Sequence, residues 1–401
     1  MFVRLSPYVR QIADAMRAFL RARKLWAPRH AKIAVLHGAN LSVLEPLFGE
    51  EPYEVVDLDG ESIYLDPRIL FSALRHVIQM RRLTLGCVRA GQVLAVLERI
   101  KPAIVVTFVD SVVFHMVSQR FRTARCLVIQ DGGRTLDRDY PVGRSPQIYL
   151  REFACLGRYE IDEYSRHGAR VETYYPIGSL KDAYYRARRA NGIALTKEFD
   201  LCVPSQFKPG AEFVHSERLD SFKVLTEHVR RFCQSHGTSL CIALRKHPDT
   251  DPTGYEWERK FFETRLGGLA QMFPNVPGAY TTYGLVDRSR VSIGMHTTVL
   301  REGFGRGNRI LSCNYSGNPV YTFPVPGPWT LTDPAYEAFE RQLLWLLEAP
   351  QEEYTKACGD RPSYLIGYDD RMPTHVFLRQ LIADAVRGAA APSSDEETNR
   401  V

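Results

Sequence analysis

No run in this 401-residue chain is apolar and long enough to span a bilayer, and no small-residue cleavage site follows its first segment. The sequence is therefore read as neither an integral membrane protein nor a secreted one. Cysteine is scarce: eight residues, at 87, 126, 155, 202, 233, 241, 313 and 358, with no Cys-x-x-Cys pair among them. That spacing excludes a zinc ribbon or a disulfide frame. Several fall in apolar runs such as Cys126-Leu-Val-Ile and Leu240-Cys-Ile-Ala-Leu, so they read as reduced core residues of a cytoplasmic protein. The chain also lacks a P-loop lysine motif, H-E-x-x-H and G-x-S-x-G. Acid is locally scarce too. Between Arg4 and Lys32 only Asp14 offsets Arg10, Arg17, Arg21, Arg23, Lys24 and Arg29, with Phe19, Leu20, Leu25 and Trp26 interspersed. This stretch is either a basic leader helix packed on the first domain or a peripheral contact for an anionic membrane.

What is present is an ordinary globular balance, 45% apolar and 24% charged, with a formal net charge of +6. Short apolar runs bounded by turn residues alternate with longer amphipathic stretches, the pattern of parallel strands joined by crossover helices. Strands are expected at 33–36, 53–56, 103–108 and 126–129, then in a second series at 201–203, 239–244, 291–293 and 309–312. Helices are expected near 67–79, 88–100, 111–120, 218–235, 255–266 and 297–304. The fold class is α/β, with two Rossmann-like doubly wound domains facing a central cleft. The expected division is 1–175, 176–348, terminal helices over 349–388 and a disordered tail over 389–401. Residues 174–200 form the interdomain connection.

Ligands of such sheets bind beyond the carboxyl ends of the strands. Three groups of polar residues stand there. Arg245-Lys246-His247-Pro248 follows an apolar strand and offers two cations and an imidazole to a phosphate, unless it is only a solvated turn. His296-Thr297-Thr298 opens a helix whose hydroxyls and amides suit an anion, unless Thr297 merely caps it; Glu302 follows within that helix, facing a ribose or solvent. Gln130-Asp131-Gly132-Gly133 ends a buried strand with a carboxylate, a general base, a nucleophile or a turn residue; its glycines leave room for a sugar. Ser205 and Gln206 close the strand between them. Three D-x-D matches, at 57–59, 137–139 and 249–251, show how often that pattern arises by chance, and no metal is assigned. The basic run at 186–189 has no interleaved aromatics of the kind that stack on bases, so nucleic acid is not expected.

The order Gln-Asp-Gly, Leu156-Gly-Arg-Tyr159-Glu160, Ile177-Gly178-Ser179, Lys-His-Pro and Thr-Thr over about residues 125–315 resembles the GT-B transferases of bacterial surface-carbohydrate assembly, in particular O-antigen and capsule proteins. It is more distantly similar to enzymes using CMP-activated sialic acid or Kdo. The resemblance implies a metal-independent glycosyltransferase without a cofactor, taking a nucleotide-sugar donor, with a CMP-sugar such as CMP-Kdo favoured, to a polysaccharide or lipid-linked acceptor. It assigns catalysis to Asp131 and the donor to His247, Pro248, Thr297 and Thr298; the residues' own placement at strand ends adds Glu160 and Asp110 behind Asp131, and Ser205, Gln206, Arg245, Lys246, His296 and Glu302 on the donor wall. The sequence departs from that pattern at Gln130, where an acid is common, and at the threonines, where serines are. Transfer of an alcohol phosphate from a CDP-linked donor, epimerisation of a sugar nucleotide and a non-catalytic binding component are the alternatives.

Overall fold

The computed structural model describes residues 20–38, 40–58, 61–81, 84–134, 148–189, 196–207 and 217–389. Most of the leader stretch, Asp59, Asp137, Asp139 and the tail beyond 389 lie outside the described residues.

The first half contributes β1 (Arg23–Leu25), β2 (Ile33–Leu36), β3 (Tyr53–Val56), β4 (Ser62–Tyr64), β5 (Ile104–Thr107), β6 (Arg125–Ile129), β7 (Tyr149–Cys155) and β8 (Arg170–Pro176). Six of these form a parallel sheet in the order β3-β2-β5-β6-β7-β8, while β1 and β4 pair separately. The basic stretch thus ends as a strand at Arg23–Leu25, where a helix was expected, because its backbone finds a partner in Ser62–Tyr64. The second half contributes β9 (Phe199–Pro204), β10 (Leu240–Ala243), β11 (Ala270–Phe273), β12 (Ser289–Gly294), β13 (Arg309–Cys313) and β14 (Thr330–Leu331). These form a second parallel sheet, in the order β11-β10-β9-β12-β13-β14. In both sheets the strand order reverses once, between β2 and β5 and between β9 and β12. Those reversals are where a doubly wound sheet opens a crevice.

Alternation explains the layers. Ile33, Val35, Ile104, Val106, Leu127 and Ile129 face one side of the first sheet, while Ala34, Leu36, Val105, Cys126 and Val128 face the other, and both sets are fully covered by helices. All eight cysteines are buried and free, Cys87, Cys126 and Cys155 in the first domain and the other five in the second. Among the described residues no helix is long and apolar enough to cross a membrane.

The terminal helices do not form a unit of their own. Tyr354 and Cys358, in the helix Gln351–Cys358, join the core of the second domain. The helix Thr374–Gly388 returns to the first, burying Leu378, Leu381, Ile382 and Val386 against Ile33, Val35 and Leu44. The return path is narrow. Gly178, at φ +85°, and Gly367 lie so close that a Cβ on the former would meet the latter's carbonyl oxygen at 2.4 Å. Thr374 Oγ1 donates to the Ile177 carbonyl at the same crossing.

Candidate functional site

The first-domain wall is built where β6 leaves the sheet. Gln130 is buried, accepts from the Leu156 amide at 3.0 Å and donates to Glu160 Oε1 at 3.2 Å and to the Gly132 carbonyl at 3.0 Å. An amide can do both, whereas an acid here would face Glu160; this is a physical reason for the departure at position 130. Asp131 is thereby turned outward, a quarter exposed, with Oδ1 2.7 Å from Lys181 Nζ and Oδ2 accepting from Asn40 Nδ2 at 2.7 Å. Asn40 sits in the left-handed region at the exit of β2, and Lys181 opens the interdomain helix Leu180–Arg189. Asp110, at the exit of β5, is held by Arg134 and Tyr164.

The second-domain wall comes from three strand exits. After β9, Ser205 Oγ accepts from the Phe207 amide, and Gln206 accepts from the Met295 amide at 2.7 Å and donates to the His296 carbonyl at 3.3 Å. Gln206 therefore pins β12's exit across the strand reversal. After β10, the carboxylate of Glu258, fully buried, accepts from the amides of Arg245 and Lys246 at 3.0–3.1 Å. Burial raises the pKa of Glu258, and these amides and Ser205 oppose that rise. Lys246 Nζ is drawn to Asp251 at 2.6 Å, so the loop presents Arg245, which is exposed, and His247. The Asp249 amide donates to His247 Nδ1 at 3.2 Å. With Nδ1 accepting this bond a neutral ring carries its proton on Nε2; the Asp249 carboxylate stands 3.6 Å from the same Nδ1. Pro248 begins the turn closed by the Asp251 amide on the His247 carbonyl at 3.0 Å.

After β12, Thr297 stands at the cap position of the helix Thr298–Gly305 without its hydroxyl bonding the helix, so capping does not account for it. Thr298 Oγ1 instead accepts from the Gly133 amide of the first domain at 2.8 Å. A Cβ on Gly132 would stand 3.1 Å from that hydroxyl, and one on Gly133 would stand 2.8 Å from Arg301 Nη1. The space expected for a sugar is thus filled by the opposite domain. The glycines serve close approach of the two walls.

Two acids take positions the sequence did not foresee. Glu160 is 2% exposed and accepts from Gly157 and Gln130 while pairing with Arg301 Nη2 at 2.6 Å, so it holds the domains together and does not face the cleft. Glu302 is buried between the domains beside Ser179, Tyr283, Asp182 and Arg306, facing neither a ribose nor solvent; burial, and then Asp182, push its pKa up to about 7. Arg306 spans Asp182 and Asp287 in the same layer, with Arg186 and Arg189 from the connecting helix completing it.

Lys181 and Glu258 were not singled out from sequence, while Asn40 was read only as a polar residue at a strand exit and Arg301 only as part of the run after Thr298, neither with a role. Arg301 stands three residues past Thr298 and is fully buried, with Nε and Nη1 lacking a partner among the described residues; His296 Nε2 is equally unpartnered. Burial and the neighbouring Arg301 and Arg218 lower the His296 pKa to about 3. Spacing from the Thr-Thr pair was the available signal for Arg301, and for Lys181 the Gly-Ser turn before its helix. Among the described residues no group of three His, Cys, Asp or Glu could hold a metal.

No family model matches this chain, and no curated protein matches it. Solved structures do match. UDP-GlcNAc 2-epimerase from Neisseria meningitidis superposes with a TM-score of 0.50 at 10% identity, over 89% of this chain and 99% of that one. The wall teichoic acid polymerase TagF superposes with a TM-score of 0.50 at 12% identity, over 96% and 100%. The two facing parallel sheets are the GT-B fold.

Proposed function

We propose that this chain is a glycosyltransferase, moving a sugar from a nucleotide donor held by the second domain to an acceptor hydroxyl beside Asp131. The observation that carries this reading is the hydrogen bond from the Gly133 amide to Thr298 Oγ1 at 2.8 Å, which places the Asp131 loop against the open end of the helix Thr298–Gly305. A carboxylate that takes a proton and a helix end that receives a leaving phosphate are thus adjoining walls of one cleft. In the reaction proposed, Asp131 accepts the acceptor's proton as its oxygen bonds the anomeric carbon. The sugar–phosphate bond breaks, and the released charge is met by the Thr297 hydroxyl, the helix amides and His247 Nε2–H. Lys181 and Asn40 hold one carboxylate oxygen each, and the remaining lone pairs of Asp131 are left for the acceptor hydroxyl.

The resemblance carried by Asp131, His247-Pro248 and Thr297-Thr298 makes a CMP-sugar the first donor to try, with a bacterial surface glycan or its lipid-linked precursor as acceptor. Both solved structures share the fold and differ in chemistry, so the test must identify the product. Thermal shift against CMP, CDP, UDP and GDP is expected to show stabilisation by CMP, and mass spectrometry of the matched activated sugar with a glycan acceptor should show transfer. Nucleotide binding with formation of an epimer, or of an alcohol-phosphate product, would replace this reading; binding without turnover of any activated donor would favour a binding component.

A further inference from the structure

The helix Pro67–Gln79 lies outside the layers that make the cleft. Ile69, Ala73 and Met80 turn inward, and Val77 with the Ala73 carbonyl lies within 2.9 Å of where a Cβ on Gly91 would stand, so this helix and Leu85–Ile100 cross in close contact. The outward face should then be polar, but it is not. Leu70, Phe71, Leu74 and Ile78 are exposed, Phe71 at 73% and Ile78 at 68%, as are Leu85 and Val88 on the helix packed beside them. A shallow groove of about 240 Å³ lies between Phe71, Leu74, Arg75, Ile78 and Gln79. Contiguous apolar surface of this kind marks a docking face.

Charge identifies the partner. Between Asp66 and Glu98 the sequence has no acid at all, while it carries Arg68, Arg75, Arg81, Arg82 and Arg89. Glu98 itself is occupied by Ser72, Arg75 and His76. Arg68 and Arg81 are exposed at either end of the helix. A second copy of this face would bring arginines against arginines, and the chain's own first thirty residues are basic too, with Asp14 the one acid among them. An apolar stripe with an exposed arginine at each end, its one neighbouring acid, Glu98, already paired with Arg75, fits an anionic lipid surface.

We infer that the face formed by Leu70, Phe71, Leu74, Ile78, Arg68 and Arg81 docks this protein on an anionic bilayer. Its place suits a lipid-linked acceptor. Leu85–Ile100 feeds β5, so its first turn, with Leu85 and Val88, lies at the carboxyl edge of the first sheet, where the cleft opens. The inference is independent of the donor's identity.

The test is co-sedimentation of the full chain with vesicles of phosphatidylcholine alone or mixed with phosphatidylglycerol. Binding is expected only to the mixed vesicles, weakening with salt. Phe71→Ser with Ile78→Ser should reduce it by roughly tenfold or more, since each side chain loses a buried apolar surface. Arg68→Gln with Arg81→Gln should reduce it on anionic vesicles, and a fluorophore on Phe71→Cys should shift to the blue on binding. Equal binding to both vesicle types overturns the inference. So does undiminished binding by the Phe71/Ile78 variant with loss on deleting residues 1–19, which assigns lipid contact to the leader. Dimerisation abolished by the same variant, without vesicle binding, assigns the face to a second copy and also overturns it.

Discussion

Arg301 Nη2 lies 2.6 Å from Glu160 Oε1, an ion pair between the two domains in which both side chains are buried. Removing one partner of such a pair leaves the other charge unpaired and costs about 3–5 kcal/mol. Arg301→Met should therefore lower the melting temperature sharply. Adding Glu160→Gln, which removes the charge and keeps an acceptor oxygen for one of the two donors, Gly157 N–H or Gln130 Nε2–H, should recover part of the loss. If Arg301 also meets the donor's phosphate through Nε and Nη1, nucleotide affinity stays low in the double variant; recovery of affinity with stability would limit Arg301 to a structural part.

Asp131→Asn keeps the size of the side chain and its contact with Lys181 but removes a base. Turnover should fall by about 10²–10⁴ while donor affinity changes little. Lys181→Met, which leaves the carboxylate to Asn40, should lower kcat by less. Steady-state kinetics with a donor found by thermal shift decide this, and near-normal turnover by Asp131→Asn would reduce the residue to a turn.

His247→Ala removes the Nε2–H donor without touching the clamp of Glu258 on the loop backbone. The nucleotide dissociation constant should rise about tenfold to a hundredfold, the value of a charge-assisted hydrogen bond of about 1.5–3 kcal/mol. Calorimetric titration measures it, and an unchanged constant would mean the imidazole only closes the turn.

Glu302 gives a pH signature. Its pKa is raised from the ordinary carboxyl value to about 7, first by burial and then by Asp182. The native state therefore holds a proton that the unfolded chain has already released, so this group's contribution falls as pH rises from about 4.5 through 7. Glu302→Gln should remove that dependence, gaining stability relative to the parent at pH 8 more than at pH 5. His296, lowered to about 3 by burial and Arg301, has the opposite sign: stability from its neutral form is present above about 6.5 and lost as pH falls toward 3. Melting curves of Glu302→Gln and His296→Gln against pH separate the two. A Glu302→Gln difference independent of pH would contradict the first.

On the proposed mechanism chelation should leave turnover intact, because the leaving group's charge is met there by fixed donors. Two of the acids in D-x-D matches are committed elsewhere: Asp57 accepts from the Ser62 amide, and Asp251 caps its helix and pairs with Lys246. Reversible loss of activity in EDTA would point instead to a metal held with the help of Asp59, Asp137 or Asp139.

Much of the fold was legible because buried parallel strands such as Ile33–Leu36 and Leu240–Ala243 are uninterrupted apolar runs. The strands at Tyr149–Cys155 and Arg170–Pro176 were missed for the converse reason. The first carries Arg151 and Glu152, the latter paired with Arg125 on the neighbouring strand, and the second is an exposed edge. Strand-end position put Asp131, His247 and Thr297 at strand exits, where the structure has them, since topology alone sets which residues follow a strand at its carboxyl edge. It could not show that Gly133 meets Thr298, or that Glu160 and Glu302 turn into the domain boundary, because those contacts join residues far apart in the chain. The direction of a side chain on a short helix is set by its neighbour's packing.

The chain passes between the domains twice, outward through the helix Leu180–Arg189 and back through residues 359–373 to the helix Thr374–Gly388. Two crossings leave the domains fewer ways to turn on one another than a single one would, and between them the Gly133–Thr298 bond and the Glu160–Arg301 pair join the two walls directly.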